Sequence, residues 1–527
     1  MTKVALIGSA IVAIYLFRLN DAAGLMVDDA WYMMLARAIA SGDGYRLVNS
    51  PTTPILPLYP PGFPALLSLG FLAAPDFPQN VWLLKSVSVT AMAVTGLLTF
   101  IHLHRDRLVP RQIAACAAAA VTLTPAFVFL ATSTVMSECV FTLSQLSAVL
   151  LVQRSIDHRH RPNGAPLAAL AGLVAIAAVL IRSAGVGILL AGAIWFAKER
   201  FWRGAVLFCA AAALVLAPWM LYSSAHKASD DARMAHGGSI VYEYGEQFWM
   251  RWAGAPSSGA ITVADLPGRV ATNLVDVFGR SMAGIVMPVV FRGQSESGEE
   301  VVSLGGVAGL SAASMGGALS TIIVSCGFAL LMILGFIDAA RLRLTVVEIL
   351  VPVSLAITLL WPFWSFRFVL PLTPYLVFYL LSGLRRVQLW TAPATSDPWR
   401  FARIAVMVML GMHVYDHLGY IVHVRTAATL AEDEWLARSR EVDAALGWMS
   451  QNLPGRATIA TTNPALVYLR TGRPTVTLDR MSEDWSVWKG RGIRYVACLL
   501  PADVPSKTLG EYKVLYQSAG RLWVIEI

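Results

Sequence analysis

The chain has 527 residues, of which 56% are hydrophobic and only 14% are charged. An ordinary soluble domain is about 25% charged, so this composition excludes a soluble enzyme, a disordered chain and a disulfide-built secreted scaffold. The mean hydropathy of +0.60 and five scattered cysteines point to an integral membrane protein.

In chain order, apolar runs of membrane-crossing length predict eleven spans, near residues 3–17, 84–104, 112–131, 136–153, 166–181, 184–197, 204–222, 316–337, 345–361, 367–384 and 401–422. The first run follows Lys3, but Asn20-Asp21-Ala22-Ala23 is a poor cleavage site, so the run is read as a span and not a signal peptide. The runs around 64–74 and 282–291 are too short to cross and are read as interfacial or re-entrant. The net charge of +8 has a location. Arg105, Arg107 and Arg111 share one short loop. Arg154, Arg159 and Arg161 share another, as do Lys198, Arg200 and Arg203, then Arg341 and Arg343, then Arg385, Arg386, Arg400 and Arg403. These are alternate loops of the eleven-span arrangement, and the positive-inside rule places them, with the N-terminus, in the cytoplasm.

That topology leaves a first outer loop at 18–83, a long outer loop at 223–315 and an outer tail at 423–527. The tail reads as a small soluble α/β domain following a transmembrane module at 1–422. Residues 434–452 fit an amphipathic helix. Ala457–Ala460, Pro474–Leu478, Ile493–Leu499, Tyr512–Tyr516 and Leu522–Ile527 read as strands, with a helix at Asn463–Leu469.

Ionisable residues in a bilayer are costly and few. Glu138, Arg182, Glu348, Arg367 and Asp416 lie within or at the ends of predicted spans. Glu348 sits near a cytoplasmic end, where it can snorkel. The others fall toward the outer ends, close to where Asp28 and Asp29 follow the first span. A transporter would place such groups near the midplane; here they suggest a site at the outer leaflet. One acid of the Asp28-Asp29 pair can cap the next helix. Two adjacent acids can also form a base and its partner, with repulsion raising one pKa. That helix ends at Gly42-Asp43-Gly44, and the proline-rich stretch up to Tyr59-Pro60-Pro61-Gly62-Phe63-Pro64 fixes an extended return to the membrane.

On Asp28-Asp29, Tyr32, Gly42-Asp43 and Tyr59-Pro60-Pro61-Gly62, the sequence resembles the GT-C superfamily of membrane glycosyltransferases. It is most similar to the branch of bacterial protein O-mannosyltransferase relatives, the lipid A aminoarabinose transferase and galacturonosyltransferase-like proteins. Met136-Ser137-Glu138 with Phe141, Ile181-Arg182-Ser183-Ala184-Gly185 and Phe366-Arg367-Phe368-Val369-Leu370-Pro371 resemble later motifs of that branch. Asp29 stands where many relatives have Glu, and the proline of the Arg182 motif is missing. The resemblance implies a polytopic α-helical GT-C module with a small outer C-terminal domain, in a bacterial inner membrane. It implies transfer of one sugar, with inversion, from a polyprenyl-phosphate donor to a glycolipid, polysaccharide or protein acceptor. It makes Asp28 the base, with Asp29 or Glu138 tuning it or orienting the acceptor. Arg182 and Arg367 become the donor-phosphate ligands, and Tyr32 and Tyr59 line the acceptor loop. Such chemistry requires no cofactor, although a divalent metal is compatible with it; no nucleic-acid partner is implied.

Each assignment competes with a plainer one. Arg182 could be an ordinary snorkelling arginine at the interface, Arg367 could bind only headgroups of bulk lipid, and Glu138 could be an N-cap partner of its helix beside Ser137. His413, Asp416 and His417 share one helix face at metal-ligand spacing, or form a polar interfacial face. Trp361 and Trp364 read as an aromatic belt or a sugar platform. Tyr242, Tyr244, Phe248, Trp249 and Trp252 suggest a structured lid. A transporter or flippase, and a GT-C-like lipid-binding protein without catalysis, are the competing functions.

Overall fold

A computed structural model describes residues 2–51, 56, 58–227, 229–254, 258–287, 318–391, 397–426, 434–478, 485–499, 512–518 and 522–527. All eleven predicted runs fall on helices, but they are not equally long. Among the described residues seven helices are long and apolar enough to cross a membrane: Val81–Asp106, Glu138–Asp157, Gly164–Ile181, Trp202–Ala225, Ile323–Leu342, Phe366–Thr391 and Arg400–Val422. The run at 112–131 is broken into Arg111–Thr122 and Pro125–Thr132, bent by 48°, and would count as an eighth span if the pair crosses together. The remaining three predicted spans are the shorter helices Thr2–Arg18, Val186–Lys198 and Val347–Leu360. Of the two short runs, one is the 12-residue helix Gly62–Ala73. The other begins with the helix Met282–Val286, and its last residues lie outside those described.

The break at 122–125 has a local cause. Pro125 has no N–H and pushes Thr124 into an extended conformation (ψ 121°), which frees carbonyls at the end of the preceding helix. His413 Nδ1 donates to Ala120 O at 3.1 Å and His417 Nε2 to Leu123 O at 2.8 Å. Both histidines and Asp416 are buried. Among the described residues no three His, Cys, Asp or Glu side chains form a group fit to hold a metal. The shared face is therefore neither a ligand set nor an interfacial surface: its histidines satisfy the broken helix.

Two glycines bring helices 318–342 and 373–391 into backbone contact. A Cβ on Gly335 would stand 1.7 Å from Tyr379 O, and one on Gly383 would stand 2.0 Å from Leu331 O. Small residues at such crossings are how apolar helices associate in lipid, where the hydrophobic effect gives no drive.

Glu348 does not snorkel. It is buried at the start of Val347–Leu360, bonded to Arg107 Nη2 at 2.7 Å, to Thr345 N and Oγ1 at 2.8 Å each and to Tyr379 Oη at 3.2 Å. A carboxylate that finds a guanidinium and three further donors has no need of water.

The tail folds as predicted, as a mixed five-stranded sheet in the order β2-β1-β3-β5-β4. The strands are β1 (Ile459–Thr461), β2 (Thr475–Thr477), β3 (Tyr495–Cys498), β4 (Lys513–Ser518) and β5 (Leu522–Glu526). β1 runs parallel to β2 and β3, whereas β5 is antiparallel to β3 and β4. The helix Pro464–Thr471 links β1 to β2 as a crossover, which parallel pairing requires. Its N-cap Asn463 accepts from Leu466 N at 3.3 Å.

Candidate active site

The first loop turns sharply before its helix Asp28–Ala40. Asp28 N donates to Met26 O at 2.7 Å, closing a three-residue turn on Val27. Asp28 and Asp29 then point to different places. Asp29 is fully buried, and its Oδ2 accepts from Gly24 N at 2.7 Å while Oδ1 accepts from Met26 N at 3.1 Å and Ala30 N at 3.0 Å. Burial raises its pKa to about 6, and the neighbouring Asp28 charge is a smaller contribution. The raised acid is thus the one that holds the loop, and repulsion is not the main cause. Asp28 keeps a side chain that is 27% exposed. Its Oδ1 accepts from Tyr59 Oη at 2.7 Å, and its Oδ2 meets Arg367 Nη1 at 2.9 Å.

Arg367 is the centre of the cluster. It lies one residue into the short helix Phe366–Val369, after Val347–Leu360 has ended at Trp361-Pro362. Its Nε donates to Glu138 Oε1 at 2.7 Å while Nη1 reaches Asp28. Glu138 opens the helix Glu138–Asp157 with its carboxylate entirely inside the protein. The same Oε1 meets Arg182 Nη1 at 3.0 Å, and Arg182 Nη1 also donates to Ser137 Oγ at 3.3 Å. The Arg182 guanidinium lies over the Phe368 ring at 5.3 Å. Glu138 is therefore the shared anion of two arginines and not a helix cap, and Arg182, only 11% exposed, is not a snorkelling residue.

Tyr32 packs its ring against Tyr59 at 4.9 Å and edge-on to Phe63 at 5.1 Å, and its hydroxyl accepts from Ser137 at 3.4 Å. Burial pushes both phenols above their usual range, so they stay protonated. Tyr59 can then act only as a donor to Asp28. All the predicted site residues except Asp29 converge: Asp28, Tyr32, Tyr59, Glu138, Arg182 and Arg367 form one connected group. The arrangement offers one accessible carboxylate beside two cations whose positions are fixed by a buried one.

The long loop supports this group. Asn273 Nδ2 donates to Leu359 O and Trp361 O at 2.9 Å each, satisfying the end of Val347–Leu360. Ser365, two residues before Arg367, donates to Asp276 and pairs with Ser281 Oγ at 2.8 Å. Trp361 packs on Tyr244 and Trp364 on Trp252, so both tryptophans meet the loop as well as any belt. The predicted lid is structured over its described residues; residues 288–315 lie outside them.

One buried cation escapes the sequence reading. Lys85, fully buried near the start of Val81–Asp106, donates through Nζ to Asn20 O at 2.5 Å, Ala22 O at 2.7 Å and Thr132 O at 2.9 Å. It ties the first loop to the bundle just ahead of the Asp28 turn. A lysine four residues inside an apolar helix was the available signal.

No protein-family model and no curated protein matches the chain. Solved structures do. ArnT from Cupriavidus metallidurans in the apo state superposes with a TM-score of 0.58 at 11% identity, covering 100% of this chain and 98% of that one. The oligosaccharyltransferase AglB from Archaeoglobus fulgidus, solved with an inhibitory peptide and a dolichol-phosphate, gives 0.54 at 13% identity over 94% of this chain and 69% of that one. The apo form of the Archaeoglobus fulgidus enzyme gives 0.56 at 12% identity, over 94% of this chain and 69% of that one. Identities this low speak for the fold and not for the chemistry. The chain has the fold of the GT-C membrane glycosyltransferases.

Proposed function

We propose that this chain transfers a single sugar from a polyprenyl-phosphate donor to a hydroxyl acceptor at the outer face of a bacterial inner membrane. The observation that carries the proposal is the cluster itself: the partly exposed Asp28 carboxylate lies 2.9 Å from Arg367, which Glu138 holds beside Arg182. The AglB structure carries a dolichol-phosphate, which supports a lipid-phosphate donor for this fold. In the proposed reaction Asp28 takes the acceptor proton as the acceptor oxygen bonds to the anomeric carbon. The bond from that carbon to the phosphate oxygen breaks, and the phosphate leaves with the electron pair. Arg182 and Arg367 offset its growing charge. Attack opposite the leaving phosphate inverts the anomeric centre. Tyr59 orients Asp28, Tyr32 walls the acceptor side, and Asp29 shapes the loop. Two guanidiniums supply the positive charge the leaving group needs, so the reading requires no metal.

The test is Asp28→Asn in purified protein, given membrane lipid extract carrying polyprenyl-phosphate sugars and a cell-envelope acceptor fraction. Loss of a general base is expected to lower turnover by about 10²–10⁴-fold, with donor-lipid binding retained. Transfer at the wild-type rate would refute the assignment. Wild-type protein that binds undecaprenyl phosphate but transfers no sugar would favour a lipid-binding protein without catalysis.

A further inference from the structure

The turn that carries Asp28 is unfavourable for its own sequence. Val27 has φ 66° and ψ −56°, the tight three-residue turn in its rare form, with a β-branched side chain on the residue that must take positive φ. Such a conformation persists only when its surroundings impose it. The surroundings are identifiable. From within the loop, Asp29 gathers the N–H groups of Gly24, Met26 and Ala30. From outside it, the C-terminal domain reaches in: Asn463 Nδ2 donates to Gly24 O at 2.6 Å, across 439 residues of sequence. Leu466 closes on the same glycine so tightly that a Cβ there would stand 2.7 Å from Leu466 Cδ1. Asn463 is buried, and its Oδ1 is committed to capping Leu466 N, which fixes the amide so that its N–H points at Gly24.

We infer that Asn463 is a positioning residue: the C-terminal domain, through the Asn463–Gly24 bond, holds Val27 in its strained turn and so keeps Asp28 against Arg367 and Tyr59. The domain is then part of the machinery of the site although none of its described side chains is bonded to Asp28, Glu138, Arg182 or Arg367. This inference rests on the role proposed for Asp28. Its structural half stands apart from any activity.

Asn463→Asp makes the test selective. An aspartate still caps Leu466 N but offers no donor to Gly24 O. Hydrogen exchange on the full-length protein in nanodiscs should show the amides of residues 24–30 exchanging at least tenfold faster than wild type, with the amides of β1 and β3 unchanged. Once Asp28 leaves Arg367, one fewer carboxylate opposes an anion there, and affinity for undecaprenyl phosphate should rise about threefold. Glycine adopts positive φ without a Cβ penalty. Adding Val27→Gly to Asn463→Asp should therefore return both readouts to near wild type. A merely structural bond would not be rescued by a change at Val27. Should Asn463→Asp disturb the sheet, Asn463→Ser, which also caps but is too short to reach Gly24, carries the same expectations. Unchanged exchange over 24–30, or failure of Val27→Gly to restore it, overturns the inference. Failure of wild-type protein to bind undecaprenyl phosphate overturns the proposed function instead, and the exchange result still decides the clamp.

Discussion

Replacing Arg367 by lysine keeps the charge and removes the geometry. Arg367 uses two nitrogens in two directions, Nε toward Glu138 at 2.7 Å and Nη1 toward Asp28 at 2.9 Å. A lysine has one nitrogen at the end of a flexible stem and cannot span both carboxylates with the same fork. Glu138 is fully buried and would keep the cation, so the bond lost is the one to Asp28. A hydrogen bond to a charged group contributes about 1.5–3 kcal/mol, which corresponds to roughly 10- to 150-fold in an equilibrium. Asp28 then stands without its cation, and the leaving phosphate loses a planar donor. Sugar transfer by Arg367→Lys should fall by at least about tenfold in turnover, while thermal stability in detergent falls by no more than the loss of that one bond because Glu138 remains paired. The assay is transfer from the lipid-extract donor, measured beside an unfolding curve on the same preparation. Wild-type turnover would show that a point charge suffices and that the bridge from Glu138 to Asp28 has no role. Unfolding well below wild type would place Arg367 in the scaffold instead.

Two further predictions concern the first loop. The folded-state pKa of Asp29, about 6, exceeds its ordinary value near 4, so the folded protein binds more protons between those limits. The stability it contributes is present below about pH 4 and is lost as pH rises through about 6, a change on the order of 3 kcal/mol. Asp29→Asn should flatten that part of the stability-versus-pH curve, and parallel curves for the two proteins would sink the idea. Lys85→Met leaves the carbonyls of Asn20, Ala22 and Thr132 without their shared donor. At about 1–3 kcal/mol for each buried unsatisfied group, the melting temperature should drop sharply, and an unchanged melting point would mean that water replaces the ammonium.

Much of this architecture was legible because lipid and sheet each impose a simple pattern. Apolar runs marked the helices, alternation marked the strands of the tail, and charges too costly for lipid marked Glu138, Arg182 and Arg367. What stayed hidden was the partner of each charge. Arg367 meets Glu138 across 229 residues and Asp28 across 339, and no local pattern encodes such pairings. Backbone partners are harder still, because a carbonyl has no letter in the sequence. Lys85 stands inside an apolar run with no partner visible nearby in the sequence, yet three carbonyls explain it. His413 and His417 read as part of a ligand set or of an interfacial face, yet they answer a helix break caused by a proline nearly 300 residues earlier. Glu348 reads as a snorkelling end-residue until Arg107 is brought beside it.

The Asp28-Asp29 pair shows the same limit at one-residue resolution. Two identical side chains are adjacent, and composition cannot tell them apart. The strained turn at Val27 separates them, sending Asp29 back under Gly24 and leaving Asp28 the one with exposure. That turn is in place because a domain more than 400 residues away bonds to it. A chain with the same first loop but without a residue able to donate to Gly24 O would keep the motif and lose the aim. Matching the acidic motif alone is therefore a weaker sign of an active protein than matching the motif together with the amide that holds its turn.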